Sequence, residues 1–232
     1  MTVKEGALAA AQKDAVRKLV ESLGADKDKE MLAFIICCTM RLDESGQYNI
    51  DVPEIDSFIK NVGNSADGIW NYIDRELYKS DYEPETRIYH ILIILSKIIL
   101  STQTIENTVR IAREYNHDLT SVFIKTFHNN GIFDIFSPSG TDPQFQLWRF
   151  LSLMISKQPF GLGLWKEWVT PADLLIPLEP YIAQAAFAEG LITSDKCDSN
   201  ARNSITEYFR KIYPDNPSKG YFALRAESDT RS

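Results

Sequence analysis

The chain has little cysteine and little histidine, with three residues of each among 232. Cys37 and Cys38 are adjacent within an apolar run and Cys197 is distant, so the sequence contains no disulfide framework. This predicts a reducing location, in the cytoplasm or elsewhere inside a cell. The three histidines are widely spaced and no C-x-x-C pair occurs. We therefore expect neither a metal site nor a bound cofactor.

Long hydrophobic runs are also missing. The most apolar stretch, IYHILIILSKIIL at 88–100, is 13 residues long and is interrupted by His90 and Lys97. A bilayer requires about 20 apolar residues, so we expect no membrane span. The charged residues of the first 18 positions likewise argue against a secretory signal. The apolar stretch instead predicts a central core helix over about 85–101.

The common catalytic motifs are absent as well. The sequence has no G-x-S-x-G elbow, no phosphate loop ending in Gly-Lys-Ser/Thr and no H-E-x-x-H pair. No catalytic residue can be assigned on this basis, and the sequence favours a protein that is not an enzyme. An enzyme with an unrecognised site is a third alternative, in which a pocket would converge on His90. The competing interpretation of His90 is a hydrogen-bonded histidine in the core.

What the sequence does contain is helical periodicity, which predicts an all-α protein of eight to ten helices in an irregular bundle around the central helix. Capping residues and apolar spacing place the other helices at about 7–23, 29–42, 53–62, 65–79, 104–127 with a break near 116, 142–155, 171–190 with a proline break, and 199–213. Buried apolar neighbours also indicate that Cys37 and Cys38 are packing residues.

A turn-rich segment, SPSGTDP, suggests a division of the bundle near residue 138. We expect an N-terminal helical subdomain over 1–137, a C-terminal helical subdomain over 138–213 and an extended tail over 214–232. One continuous domain is the alternative. The tail is assigned from its content of Pro, Ser, Asp and Arg.

The net charge of −7 is unevenly distributed along the chain. Residues 43–85 contain eleven acidic and three basic residues, whereas 86–211 contain twelve of each. Bulk electrostatic attraction to nucleic acid is therefore excluded, but a local basic groove is not. The acidic segment suggests an alternative function: an adaptor that binds a basic protein partner and holds an amphipathic helix in an apolar groove.

Basic residues in two places suggest contacts with single-stranded RNA. Arg110, Arg113 and His117 share a helical stripe, with Lys125 two turns further on. Further basic residues accompany the aromatic side chains of the C-terminal half: Arg149, Lys157, Arg202, Arg210 and Lys211. The competing interpretation is a solvated helix face, with Glu106 four residues before Arg110, and aromatic rings that belong to the core.

The stretch GADKDKEMLAFIICCTMRLDES, residues 24–45, resembles an early helix of the coat proteins of flexible filamentous plant viruses. In that family a charged turn precedes an apolar helix that ends near a basic residue. The resemblance implies a self-assembling coat or nucleocapsid protein that binds single-stranded RNA in a virion. It implies no site residue. The missing catalytic motifs, the many aromatic residues and polar ends that could extend onto neighbouring subunits make self-association and RNA binding the leading hypothesis.

Overall fold

A computed structural model describes residues 26–63, 69, 87–99, 102, 104–115, 118–128, 136, 137, 139–157, 161–165 and 168–231. Within these ranges the regular structure is almost entirely helical, which confirms the all-α prediction. The helices are α1 (Asp26–Thr39), α2 (Val52–Gly63), α3 (Arg87–Ile99), α4 (Ile105–Arg113), α5 (Leu119–His128), α6 (Phe145–Ile155), α7 (Pro180–Ala188), α8 (Ser199–Ile212) and α9 (Lys219–Arg231). The predicted helices over 7–23 and 65–79 lie outside the described residues, apart from Ile69.

The described residues form two units. The N-terminal unit contains 26–40 and 50–136, and the C-terminal unit contains 41–49 and 137–231. The division near residue 138 agrees with the turn-rich segment of the sequence. The assignment of 41–49 to the C-terminal unit differs from the prediction, in which 1–137 was continuous.

The core of the N-terminal unit is built on α3, which packs against α1, α4 and α5. Its apolar residues are buried, and Ile91, Leu92 and Leu95 are fully enclosed. His90, however, is exposed, and so is Lys97 two turns later. The interpretation of His90 as a core histidine is therefore wrong, because the polar seam of this helix faces solvent.

Helix α1 supplies a second apolar layer to the same unit. Cys37 and Cys38 are buried and belong to no disulfide, as expected of packing residues. The Phe34 ring stacks on Phe127 of α5, with ring centroids 4.7 Å apart. The segment predicted as one helix over 104–127 is two helices, α4 and α5, and the predicted break near Asn116 lies between them.

The C-terminal unit begins with a short antiparallel hairpin, β1 (Arg41–Leu42) and β2 (Tyr48–Asn49), in which Leu42 pairs with Tyr48. Helices α7, α8 and α9 pack against one another. A 3-10 turn, Pro171–Asp173, replaces the helix predicted from residue 171, and α7 starts only at Pro180. A proline is tolerated in a first helical turn because its missing N–H has no partner there.

The extended tail predicted over 214–232 is wrong, because α9 spans most of that range. Tyr221 and Leu224 are three residues apart and both are buried, so one face of this polar helix packs against the protein. Composition suggested disorder because most of the remaining side chains are polar. No helix in the described part of the chain is long and apolar enough to cross a membrane.

Candidate functional site in the C-terminal unit

A buried carboxylate, Glu179, lies immediately before α7 and is 0% exposed. Its Oε2 accepts the backbone N–H of Tyr48 at 2.7 Å, and its Oε1 accepts the hydroxyl of Tyr221 at 2.9 Å. The side chain therefore joins the hairpin, the start of α7 and the first turn of α9. A buried carboxylate requires such partners because desolvation of an ionised group is unfavourable.

Two arginines lie beside this carboxylate. Arg225 Nη1 donates to the Tyr221 hydroxyl oxygen at 2.6 Å and is 3.6 Å from Glu179 Oε1. Arg225 Nη2 donates to Gln47 Oε1 at 3.3 Å. The guanidinium carbon of Arg149, on α6, is 5.8 Å from the Tyr221 ring centroid, a distance typical of a cation–π contact. We call Arg149, Glu179, Tyr221 and Arg225 the arginine–carboxylate cluster.

Burial dominates the electrostatics of this cluster. It raises the pKa of Glu179 above its usual range, against the opposing influence of the Tyr48 N–H and the two arginines. Burial and the neighbouring carboxylate also raise the pKa of the Tyr221 hydroxyl. Both guanidinium groups lower the pKa of Glu179 and so favour its charged form.

Three buried polar atoms in the described part of the chain have no hydrogen-bond partner: Gln144 Oε1, Trp148 Nε1 and Arg149 Nη1. All three belong to the N-cap position and the first turns of α6. Buried polar atoms are almost always hydrogen-bonded in native proteins, since an unmade bond costs about 1–3 kcal/mol. Their concentration in one helical segment makes this segment a candidate site for a polar ligand.

The backbone of Gln144 is strained, because it adopts the left-handed region at φ 55. Its side-chain Nε2 donates to the Ser137 carbonyl at 2.6 Å, and its N–H donates to Asp142 at 2.7 Å. One turn later, the guanidinium carbon of Arg202 lies over the Trp148 ring, 5.6 Å from the ring centroid. Non-glycine residues in this conformation are concentrated at functional sites.

Two of the residues predicted to contact RNA belong to this region. Arg149 is 9% exposed and Arg202 is 7% exposed, and both contact aromatic rings of the C-terminal unit. Arg202 also donates to the Pro143 carbonyl at 3.1 Å. These two arginines are therefore internal groups and not parts of a solvated face.

The other predicted residues are not brought to this region by the contacts of the structure. Lys157 and Lys211 are exposed, and Arg210 pairs with Glu207 on its own helix. In the N-terminal unit, Arg110 and Lys125 are exposed and Arg113 is half-buried, whereas His117 lies outside the described residues. Their contact with RNA stays a prediction.

Sequence reasoning missed Glu179 and its partners. The signal was present, since Glu179 is the single charged residue in the apolar segment LLIPLEPYI at 174–182. An acidic residue in such a segment is either exposed by a turn or paired in the core. Tyr221 and Arg225 gave no comparable signal, because they lie in a polar stretch that was assigned to the tail.

In the described residues, no three His, Cys, Asp or Glu side chains are grouped in a way that could hold a metal ion.

The comparison with protein families gives one match: residues 18–228 fit the family model described as Protein of unknown function (DUF2400). The matched range contains every residue of the arginine–carboxylate cluster. No curated protein and no solved structure matches the chain.

Proposed function

We propose that this chain, which belongs to the DUF2400 family, binds single-stranded RNA and catalyses no reaction. The proposal is drawn from the geometry of its C-terminal unit. One observation carries this proposal: the buried Nη1 of Arg149 has no hydrogen-bond partner among the residues that the structure describes. A guanidinium N–H is a strong donor that recognises phosphate oxygens, often in a bidentate manner.

The charge of Arg149 supports a phosphate as the occupant. The nearby carboxylate, Glu179, is disfavoured in its charged form by burial. A phosphate would supply negative charge and an acceptor for Arg149 Nη1. The Arg225 side chain is 21% exposed, so the cluster has a solvent-accessible side.

Aromatic rings beside the cluster favour a nucleic acid over a free anion. The guanidinium of Arg149 lies 5.8 Å from the Tyr221 ring and 5.7 Å from the Phe222 ring. Single-stranded nucleic acids are bound by such combinations of cations and rings. The net charge of −7 makes general attraction weak, so affinity depends on the local cluster.

Fluorescence anisotropy with a labelled 12-nucleotide RNA of uridines, at several salt concentrations, tests the proposal. We expect Arg149→Gln to weaken binding by about tenfold or more and to lower the slope of log affinity against log salt by about one. Arg149→Lys keeps the charge and should give an intermediate affinity. Lys196→Gln is the matched control, since Lys196 lies in the same unit but pairs with Asp198 at the surface.

Circular dichroism confirms that each variant is folded before its affinity is compared. A wild-type protein that does not bind RNA at 50 mM salt would overturn the proposal. So would an Arg149→Gln variant that is folded and binds as tightly as the wild type.

The remaining functional hypotheses stay predictions. They are self-association as a coat or nucleocapsid protein, residence in a virion, and capture of a basic protein partner. The acidic segment used in the last of these includes 64–68 and 70–85, which lie outside the described residues.

A further inference from the structure

We propose that Gln144 and Trp148 recognise the base of the nucleotide whose phosphate is held by Arg149. The inference rests on the proposed function and deepens it, since it adds a base-reading subsite to phosphate binding. It follows from the two other unpartnered atoms of the same helix, Gln144 Oε1 and Trp148 Nε1.

The two atoms are chemically complementary. Gln144 Oε1 is an acceptor and requires an N–H or O–H donor, whereas the indole N–H of Trp148 requires an acceptor. The edge of a nucleobase presents both groups side by side. In uracil, the N3–H lies between two carbonyl oxygens and would pair with Gln144 while a carbonyl accepts from Trp148.

The orientation of the Gln144 amide is fixed by its other contact. Its Nε2 donates to the Ser137 carbonyl at 2.6 Å, so the nitrogen cannot exchange places with the oxygen without losing that bond. Gln144 and Trp148 are four residues apart, which places them on one helical face at neighbouring positions. Gln144 is 3% exposed and Trp148 is 3% exposed, so both atoms are shielded from bulk water.

Strain at the same position supports a binding role. Among the non-glycine residues that the structure describes, only Gln144 has a positive φ. A glycine would adopt this backbone without strain but would lack the amide. The neighbouring cation, Arg202, stacks on the Trp148 ring and donates to the carbonyl of Pro143, so the indole is held in position.

A base would reach the buried atoms along the exposed turn that precedes Gln144. Residues 139–141 are exposed, and Ser199 secures them by donating to the carbonyls of Gly140 at 2.8 Å and Thr141 at 2.9 Å. These two contacts are the ones that would open when a base enters. Arg149 lies in the same turn of α6 as Trp148 but on an adjoining side of the helix, so the phosphate would contact one side and the base the other.

The experiment compares four labelled 12-nucleotide strands: uridine RNA, the same strand with 3-methyluridine, the same strand with abasic sites, and cytidine RNA. For the wild type we expect about tenfold weaker binding of the 3-methyluridine strand than of uridine RNA, since methylation removes the N3–H. The abasic strand should also be weaker, yet its binding should still depend on Arg149.

Two variants separate recognition from folding. Gln144→Gly removes the amide and suits the left-handed backbone, and Trp148→Phe removes the N–H but keeps an aromatic ring. The folded Gln144→Gly variant should bind uridine and 3-methyluridine strands with affinities that differ by less than about twofold. The folded Trp148→Phe variant should bind both strands more weakly and still prefer uridine, since Gln144 remains. Lys196→Gln, at a surface ion pair of the same unit, should discriminate between the strands as the wild type does.

The outcomes distinguish this inference from the proposed function. Equal wild-type affinity for the uridine, 3-methyluridine and abasic strands, together with loss of binding in Arg149→Gln, would overturn base recognition and leave phosphate binding intact. Absence of binding to every strand would overturn both. A folded Gln144→Gly variant that retains full discrimination against 3-methyluridine would also overturn base recognition.

Discussion

The side-chain carboxylate of Glu30 on α1 accepts the backbone N–H of Ile105 at 2.7 Å, although the two residues are 75 positions apart. It also accepts the N–H of Glu106 at 2.8 Å, and Glu30 itself is 3% exposed. The first N–H groups of a helix have no partner within the helix. A carboxylate from α1 therefore caps α4, at the end where the helix dipole favours negative charge.

Removal of this long-range cap should destabilise the protein. We expect Glu30→Ala to lower the free energy of unfolding by about 2–3 kcal/mol, because it leaves one buried and one partly buried N–H group without an acceptor. Glu30→Gln keeps one acceptor oxygen and should cost about half as much. Urea denaturation measures both. Lys29→Ala is the control: its pair with Asp26 lies at the surface, so a change above about 0.5 kcal/mol there would contradict the assignment.

Gly220 should tolerate no side chain. A Cβ at this position would lie 2.2 Å from ring carbons of Phe209, which is buried. Alanine normally stabilises a helix by about 1 kcal/mol relative to glycine. Because of this overlap, we expect the substitution to destabilise the protein instead. We expect Gly220→Ala to cost about 1–3 kcal/mol, as overpacking does. Gly140→Ala, with no atom within 4 Å of the added Cβ, should change stability by less than about 0.5 kcal/mol, and equal effects would refute the prediction.

The buried carboxyl of Glu179 should make stability depend on pH. Burial raises its pKa in the folded state above the ordinary value of 4.5. Folding therefore favours the protonated form, so the stabilising contribution is complete below pH 4.5 and declines as the pH rises through the folded pKa. The slope should not exceed about 1.4 kcal/mol per pH unit for one proton.

Urea denaturation of the wild type and Glu179→Gln between pH 4 and pH 8 measures this contribution. The variant cannot titrate at this position, so subtraction cancels the other carboxylates, including Asp43, Asp198 and Asp215, whose pKa values are lowered. The wild type should lose stability relative to the variant as the pH rises. A difference that is constant or of opposite sign would show that the Glu179 pKa is not raised.

The thiol of Cys197 should react slowly in the folded protein. Burial, with the charges of Asp142, Glu179 and Asp198, raises its pKa to about 12. Only the thiolate is nucleophilic, so alkylation by iodoacetamide at pH 8 should be on the order of 100-fold slower than in urea. Mass spectrometry of the peptide that contains Cys197 gives the rate. A native rate within about threefold of the denatured rate would disprove the shift.

The central helix illustrates what the sequence reveals about the fold. The spacing of Ile88, Ile91, Leu92 and Leu95 determines a buried face, and the structure confirms it. The same periodicity did not indicate whether His90 is exposed or buried, because a row of polar residues on a helix can face solvent or a buried polar partner. The α9 helix was missed because, among its described side chains, Tyr221 and Leu224 are the buried apolar ones and the rest of the stretch is largely polar.

The site was less predictable, since it depends on contacts between distant residues. Arg149 was identified from its aromatic neighbourhood in sequence, but its neighbour Glu179 is 30 positions away and the Tyr48 N–H is 131 positions from Glu179. The missing partners of Gln144 and Trp148 follow from packing, which no periodicity describes. Sequence patterns report local burial, whereas these features require the tertiary structure.

The hairpin at 41–49 has a consequence for dissection of the protein. A proteolytic fragment that begins at residue 137 would contain Glu179 but would lose the Tyr48 amide and the Gln47 side chain that contacts Arg225. It would also lose Gly46, whose carbonyl accepts the Tyr181 N–H at 3.1 Å. The C-terminal unit is built from two separate stretches of the chain, 41–49 and 137–231. A single cut therefore cannot release both units intact. The C-terminal fragment should require a synthetic 41–49 peptide to restore the missing contacts.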